Sequence, residues 1–280
     1  MVNMEEETKK DEDQGHLERA YELHSWASKG QDVTVRDDQY GFSWLLDSAK
    51  VSRKRGFRFR LVDSGNLDCS QMEWLAEAGA DIYTSDEARS EAFELDLLIR
   101  ACRRAGSIVA YFHNGPLEQA EGGKKQPPLL FSELLDLARS GLYLHLTNKT
   151  EKREFSLLNT LAHACQMGES WLVYYHHGPL EPALEELARN RAWIHMSDRS
   201  LEGEEDVSIL LDTVKSARSS RTNIILHLDK GIESTLLSDI VRSGAIVLFD
   251  LTHLEEASLL RAAKGLDFRA YYLYPQFLPG

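Results

Sequence analysis

The chain has little cysteine, no long apolar run and no surplus of positive charge. Each scarcity removes a class of function. Three cysteines in 280 residues, Cys69, Cys102 and Cys165, stand far apart and form no CxxC pair. That excludes a disulfide framework and a cysteine-based zinc cluster, and leaves free thiols in a reducing compartment as the expectation. No apolar stretch approaches the ~20 residues of a membrane span. The first fifteen residues, MVNMEEETKKDEDQG, lack the apolar core of a secretory signal. A soluble, cytoplasmic protein without a membrane partner is therefore expected. The net charge is −13, which argues against a nucleic-acid partner, because phosphate-backbone binding needs a Lys/Arg excess. The one basic run, Lys50, Arg53, Lys54, Arg55, Arg58 and Arg60, reads as a solvated helix end. Also missing are GxGxxG, GxxxxGK[ST], GxSxG, HExxH and HxH, so no nucleotide loop, nucleophile elbow or metalloprotease helix announces itself.

What the chain does have is repetition. A Leu-Leu pair recurs with first members Leu45, Leu97, Leu157, Leu210 and Leu259, in steps of 52, 60, 53 and 49 residues. A helix-end motif interleaves with it: Trp26-Ala27…Gly30, Leu75-Ala76…Gly79, Leu137-Ala138…Gly141, Leu187-Ala188…Arg191 and Ile240-Val241…Gly244. An apolar run follows each. Self-similarity of this kind sets architecture before any single residue does.

The apolar runs number ten: Asp32–Val35, Phe57–Asp63, Asp81–Ser85, Ile108–His113, Leu142–Thr147, Trp171–His176, Trp193–Ser197, Ile224–Asp229, Ile246–Leu251 and Phe268–Tyr274. Helix-length segments of about three turns lie between them. Strands alternating with helices imply parallel pairing through right-handed crossovers. The fold expected is α/β: tandem (βα) repeats building one continuous parallel sheet with helices outside. A TIM-barrel-like closure is preferred, with an open horseshoe or solenoid as the alternative. The barrel count of eight is reached by discounting the first run, which is weak, and the last, which no helix follows. Residues 1–15 are expected to be a disordered acidic tail and 16–280 a single domain. Gly79, Gly141 and Gly244 suit left-handed helix ends, and Asn66, Asp68 and Ser132 suit helix starts. Glu121–Pro128 reads as an inserted loop.

The strands end in two ways. One set runs into a glycine turn: Asp63-Ser64-Gly65, His113-Asn114-Gly115, His176-His177-Gly178 and Asp229-Lys230-Gly231. The other ends without glycine: Ser85-Asp86, Thr147-Asn148, Ser197-Asp198 and Thr252-His253. Those polar residues read mostly as caps of the following helix. Side chains alternate along a strand, so one sheet face should be aliphatic and the other aromatic, His and Asp. Arg58 and Arg60 break this rule if Asp63 takes the polar face.

Sites in parallel α/β proteins form at the C-terminal strand ends. The candidate catalytic residues are His113, His176 and Asp229, which share one repeat position two residues before a glycine. The same three are the candidate ligands of a divalent metal that would activate a water. Asp63, Asn114, His177, His195 and His253 are candidate ligand-binding groups. His145, His195 and His227 lie mid-strand, where packed histidines are the plainer reading. Tyr111, Tyr143, Tyr174 and Trp193 would make a stacking surface if the sheet were open. The expected function is a metal-assisted hydrolase or related barrel enzyme. The alternative is a non-catalytic binding or scaffold protein, meeting a protein or small molecule on the aromatic, His-rich sheet face.

Overall fold

The computed structural model describes residues 21–30, 32–117 and 129–249. Nine strands are ordered in the sheet as they are in the chain, and every pairing between neighbours in either unit described below is parallel. They are β1 (Val33–Arg36), β2 (Phe59–Val62), β3 (Ala80–Ser85), β4 (Val109–His113), β5 (Tyr143–Thr147), β6 (Leu172–Tyr175), β7 (Trp193–Ser197), β8 (Ile224–Leu228) and β9 (Ile246–Phe249). Helices separate them: α1 (Phe42–Arg55), α2 (Cys69–Glu77), α3 (Ala92–Ala105), α4 (Phe131–Ser140), α5 (Phe155–Met167), α6 (Ala183–Arg189), α7 (Glu204–Ser220) and α8 (Ser234–Ser243). The tandem (βα) architecture expected from the repeat is the one observed. The run discounted as weak is a true strand: Val33 to Arg36 pair with Phe59 to Val62. It looked weak because only two of its four side chains, Val33 and Val35, turn into the core. The tenth run, Phe268–Tyr274, and the loop Glu121–Pro128 lie outside the described residues. So do the tail 1–15 and His253.

Packing divides the chain into two compact units, 1–110 and 111–280. In the first, α3 shows why the Leu-Leu pairs recur. Leu95, Leu98, Ile99 and Cys102 fall on one stripe and are buried, as the 3.6-residue period requires. The helix stops at Gly106, in a left-handed conformation that returns its N–H to Arg103 and Cys102 carbonyls. Asp68 caps α2 as expected, in a reciprocal pair with Gln71. Asn66 and Ser132 do not cap. Asn66 belongs to the turn before α2, and α4 starts at Phe131, with Glu133 accepting the N–H of Leu130.

In the second unit, strands β5 to β9 pair in sequence and α4 to α8 connect them. Gly141 and Gly244 take the left-handed conformation expected, as Gly79 does in the first unit. Arg191 holds the equivalent position with φ 62°, and its guanidinium lies 5.6 Å above the Trp171 ring, a contact that offsets part of the left-handed cost. Gly168, at the end of α5, is required for a different reason. A Cβ there would stand 2.1 Å from the Ala138 carbonyl oxygen at the end of α4. Gly168→Ala should therefore lower the unfolding free energy by about 1–3 kcal/mol, the usual cost of overpacking. Urea melts of the two proteins measure this, and equal stability would refute it. Among the described residues, no helix is long and apolar enough to cross a membrane.

Candidate functional site

The strand ends are braced by one repeated device. Asp37, just past β1, accepts N–H bonds from Ser64, Asn66 and Leu67 in the turn after β2. Asn148, just past β5, accepts the N–H of His177 at 2.7 Å and donates its amide to the His177 carbonyl at 2.9 Å, in the turn after β6. Asp198, just past β7, accepts the N–H groups of Asp229, Lys230 and Gly231 in the turn after β8. So these polar strand ends do not serve mainly as caps of the helix that follows. They hold the glycine turn of the next strand, whose backbone donors would otherwise be unsatisfied. Ser197 does both jobs, accepting the N–H of Arg199 at the start of a short 3-10 turn and donating to Asp229. Asp37 escaped notice in the sequence because the strand before it had been discounted. Its place in the repeat, equivalent to Asn148 and Asp198, was the available signal.

The residues before each glycine differ because their turns differ. Asp63 accepts the N–H of Gly65 at 2.9 Å. His176 donates Nε2–H to the carbonyl of Pro179 at 2.8 Å, and His113 donates likewise to Pro116 at 3.3 Å. Asp63 accepts where the turn presents an N–H, and the two histidines donate where it presents the proline carbonyl.

That bonding bears on metal binding. Nε2 of both histidines carries a proton, so Nδ1 is the nitrogen through which either would ligate. Burial lowers the pKa of His176, so the ring stays neutral, and its Nδ1 is sealed from solvent without a partner. Asp229 lies elsewhere. His176 continues the face of Tyr174, which pairs with Ile194 and is met edge-on by Phe155 of α5. Asp229 continues the opposite face, that of His227, and accepts the Ser197 hydroxyl at 2.9 Å. The three residues share a repeat position but not a sheet face, because the β8 turn begins three residues later in register. Among the described residues, no three His, Cys, Asp or Glu side chains gather as a metal site.

Asp63 also lies on the aliphatic face, beside Phe59 and Leu61. Thr84 and Arg89 bond its carboxylate, and Arg89 continues to the Leu67 carbonyl and to Glu94. This resolves the broken alternation of β2. Arg60 and Arg58 take the polar face, where they meet Asp32 and Asp81, each at 3.0 Å. Asn114 is likewise a tie: its backbone carbonyl accepts from Arg153, and its side chain accepts from Thr150 at 2.9 Å.

The polar face of β5 to β8 carries a buried row. Phe112 stacks on His145 at 4.2 Å, and His145 Nδ1 bonds the Tyr175 hydroxyl at 3.0 Å. Tyr175 stacks on His195 at 4.5 Å, and His195 Nδ1 meets His227 Nε2 at 2.9 Å. His145 is 5% exposed, and Tyr175 and His195 are fully buried. Burial drives the pKa of His145 down to about 3, that of His227 to about 4, and that of His195 well below the usual imidazole value. The rings are neutral, so one imidazole donates to its neighbour and the other accepts. His195 is thus a packed member of this row. Tyr111 and Tyr174 are buried as well, and do not form an exposed stacking surface with Tyr143 and Trp193.

A cleft opens at the ends of β6 and β7. It holds about 150 Å³ and is lined by His176, His177, Pro179, Ser197, Arg199 and Glu202, among others. At ~30 Å³ per water this is room for about five waters, the size of a small molecule. Arg199 is exposed and lies 3.9 Å from the Asp229 carboxylate. Among the described residues, His177 is the one ligand-binding expectation that falls on the wall of this cleft.

No known protein family matches the chain, and no curated protein matches it. Solved structures are similar to it at low identity. A putative lyase/mutase from Burkholderia cenocepacia J2315 is 12% identical, with 94% of this chain and 98% of that chain covered and a TM-score of 0.33. The HpcH/HpaI aldolase from Desulfitobacterium hafniense DCB-2 is 11% identical, with 91% and 98% covered and a TM-score of 0.30. A putative fructose-1,6-biphosphate aldolase from Coccidioides immitis is 15% identical, with 81% and 86% covered and a TM-score of 0.35.

Proposed function

We propose that the chain is a (βα)-repeat enzyme acting on a small polar molecule at the C-terminal ends of β6 to β8. The observation that supports this is the cleft itself. It is the place where a cation, Arg199, and a hydroxyl oriented by a carboxylate, Ser197 on Asp229, adjoin space for a ligand. In this reading Arg199 anchors an acidic group of the substrate. Ser197 and Asp229 supply the hydrogen bond and charge that direct it, and His177 is an imidazole on the wall. The finer expectation of a metal-assisted hydrolase draws no support from the side chains around the cleft, since among the described residues no three His, Cys, Asp or Glu gather as a metal site. Acid–base chemistry is the better fit.

A library of small carboxylates and phosphates, screened by ligand-observed NMR against the full chain, tests the reading. Binders should emerge, Arg199→Ala should weaken them about tenfold, equivalent to about 1.4 kcal/mol, and at least one should be converted on incubation. Binders indifferent to Arg199→Ala would remove the cleft from consideration. Binding that depends on Arg199 without turnover would leave a small-molecule binding protein in place of an enzyme.

A further inference from the structure

The first unit carries a surface that the strand-end site does not use. A groove of about 670 Å³ runs along the outer side of α1 and α2, lined by Leu46, Lys50, Arg53, Lys54, Trp74 and Glu77. Trp74 is 55% exposed, and the Phe42 ring stands 5.8 Å from it, which extends the apolar floor. An indole flanked by cationic side chains is the kind of anchor that interaction sites use. The charges around it are not balanced locally. The carboxylates of α2, Glu73 and Glu77, are taken by Arg104 at 3.7 and 2.9 Å. Arg53 donates to the Glu77 backbone carbonyl, which carries no charge. Lys50 and Lys54 form no ion pair among the described residues. In a chain of net charge −13, three uncompensated cations beside an exposed indole form a local inversion of sign.

We infer that this groove docks an acidic peptide segment of a partner protein, with an apolar side chain seated against Trp74 and carboxylates on Lys50, Arg53 and Lys54. Charge complementarity selects an acidic partner, and the indole selects one with an apolar anchor. The patch is too small, and the rest of the chain too acidic, to hold a nucleic-acid backbone.

The test is fluorescence anisotropy on the full chain with a labelled peptide of glutamates flanking a central Leu-Phe pair. Binding should weaken about tenfold in the double variant Lys50→Glu/Lys54→Glu and about tenfold in Trp74→Ala. It should also weaken as salt rises, since the charged contacts are exposed. All three side chains are exposed, so the variants keep the fold, which circular dichroism verifies. No binding, or binding unchanged by either variant, overturns the inference. Equal binding of a glutamate peptide lacking the Leu-Phe pair also overturns it, because that is unspecific ion exchange. The strand-end cleft is untouched by these variants, so its ligands should bind as before.

Discussion

Replacing Asp63 by Asn should lower the unfolding free energy by about 3–5 kcal/mol, the cost of leaving a buried charge without its partner. The side chains of Asp63 and Arg89 are 0% and 4% exposed. Arg89 spends its guanidinium on Asp63, Glu94 and the Leu67 carbonyl, and only Glu94 would remain as a counter-charge. Against a total stability of 5–15 kcal/mol for an ordinary domain, this approaches unfolding. The double variant Asp63→Leu/Arg89→Met should recover much of the loss, since replacing a buried pair together with apolar groups is often neutral. Urea denaturation of the three proteins decides it. A stable Asp63→Asn protein would return Asp63 to the list of ligand-binding candidates, because a binding carboxylate can be lost without cost to the fold.

The second large effect is with acid. The row of buried His145, Tyr175 and His195 and half-buried His227 carries neutral imidazoles in the fold. Their pKa values in the folded chain lie below the ordinary 6.5, at about 3 for His145 and about 4 for His227. A lowered imidazole pKa means that the unfolded chain takes up protons first. Stability is therefore complete above about pH 6.5 and declines as the pH falls from there toward 3. At about pH 4.5 the unfolded state is favoured by roughly two pH units at each of the two residues. At 1.36 kcal/mol per unit this comes to about 5 kcal/mol together. His195, lowered further, adds in the same direction. Asp229 opposes the shift at His227, and His177 adds to it. His227→Gln keeps a hydrogen-bonding partner for His195 and should remove about a third of the pH dependence. Unfolding free energies measured from pH 7 to 4.5 test this. A flat profile in the parent chain, or an unchanged slope in His227→Gln, would show that the row tolerates charge.

Both predictions treat residues that look like a catalytic apparatus in the sequence as parts of the frame. His113, His176 and Asp229 align in the repeat as ligands would. Yet an alignment counts residues along the chain, whereas a ligand set is fixed by register between strands. Tyr174 pairs with Ile194 and Ile194 with Ile224, so the β8 turn starts three residues further along than the β6 turn. An odd offset reverses the face. Nothing local in Asp229-Lys230-Gly231 records that offset. Arg89 and Arg199 show the same limit from the other side. Each follows a strand end by a few residues and stands in no motif. Only the folded chain buries the first against Asp63 and leaves the second on the wall of a cleft.

What the sequence determined by itself is the architecture. Apolar stripes at helical period, glycines at helix ends and alternating short apolar runs act over a few residues, and their energies are local. Among the described residues they placed the strands β2 to β9 and the helices between them. The sequence also separated two kinds of strand end, and this distinction survives with a changed meaning: one kind of end braces the turn of the other. Tertiary structure alone decided which polar groups are consumed in that bracing and which remain for a ligand. A carboxylate or imidazole has the same letter whether it satisfies a backbone N–H thirty residues away or faces solvent. The difference lies in desolvation and partner geometry, and both come into being only when the strands are side by side.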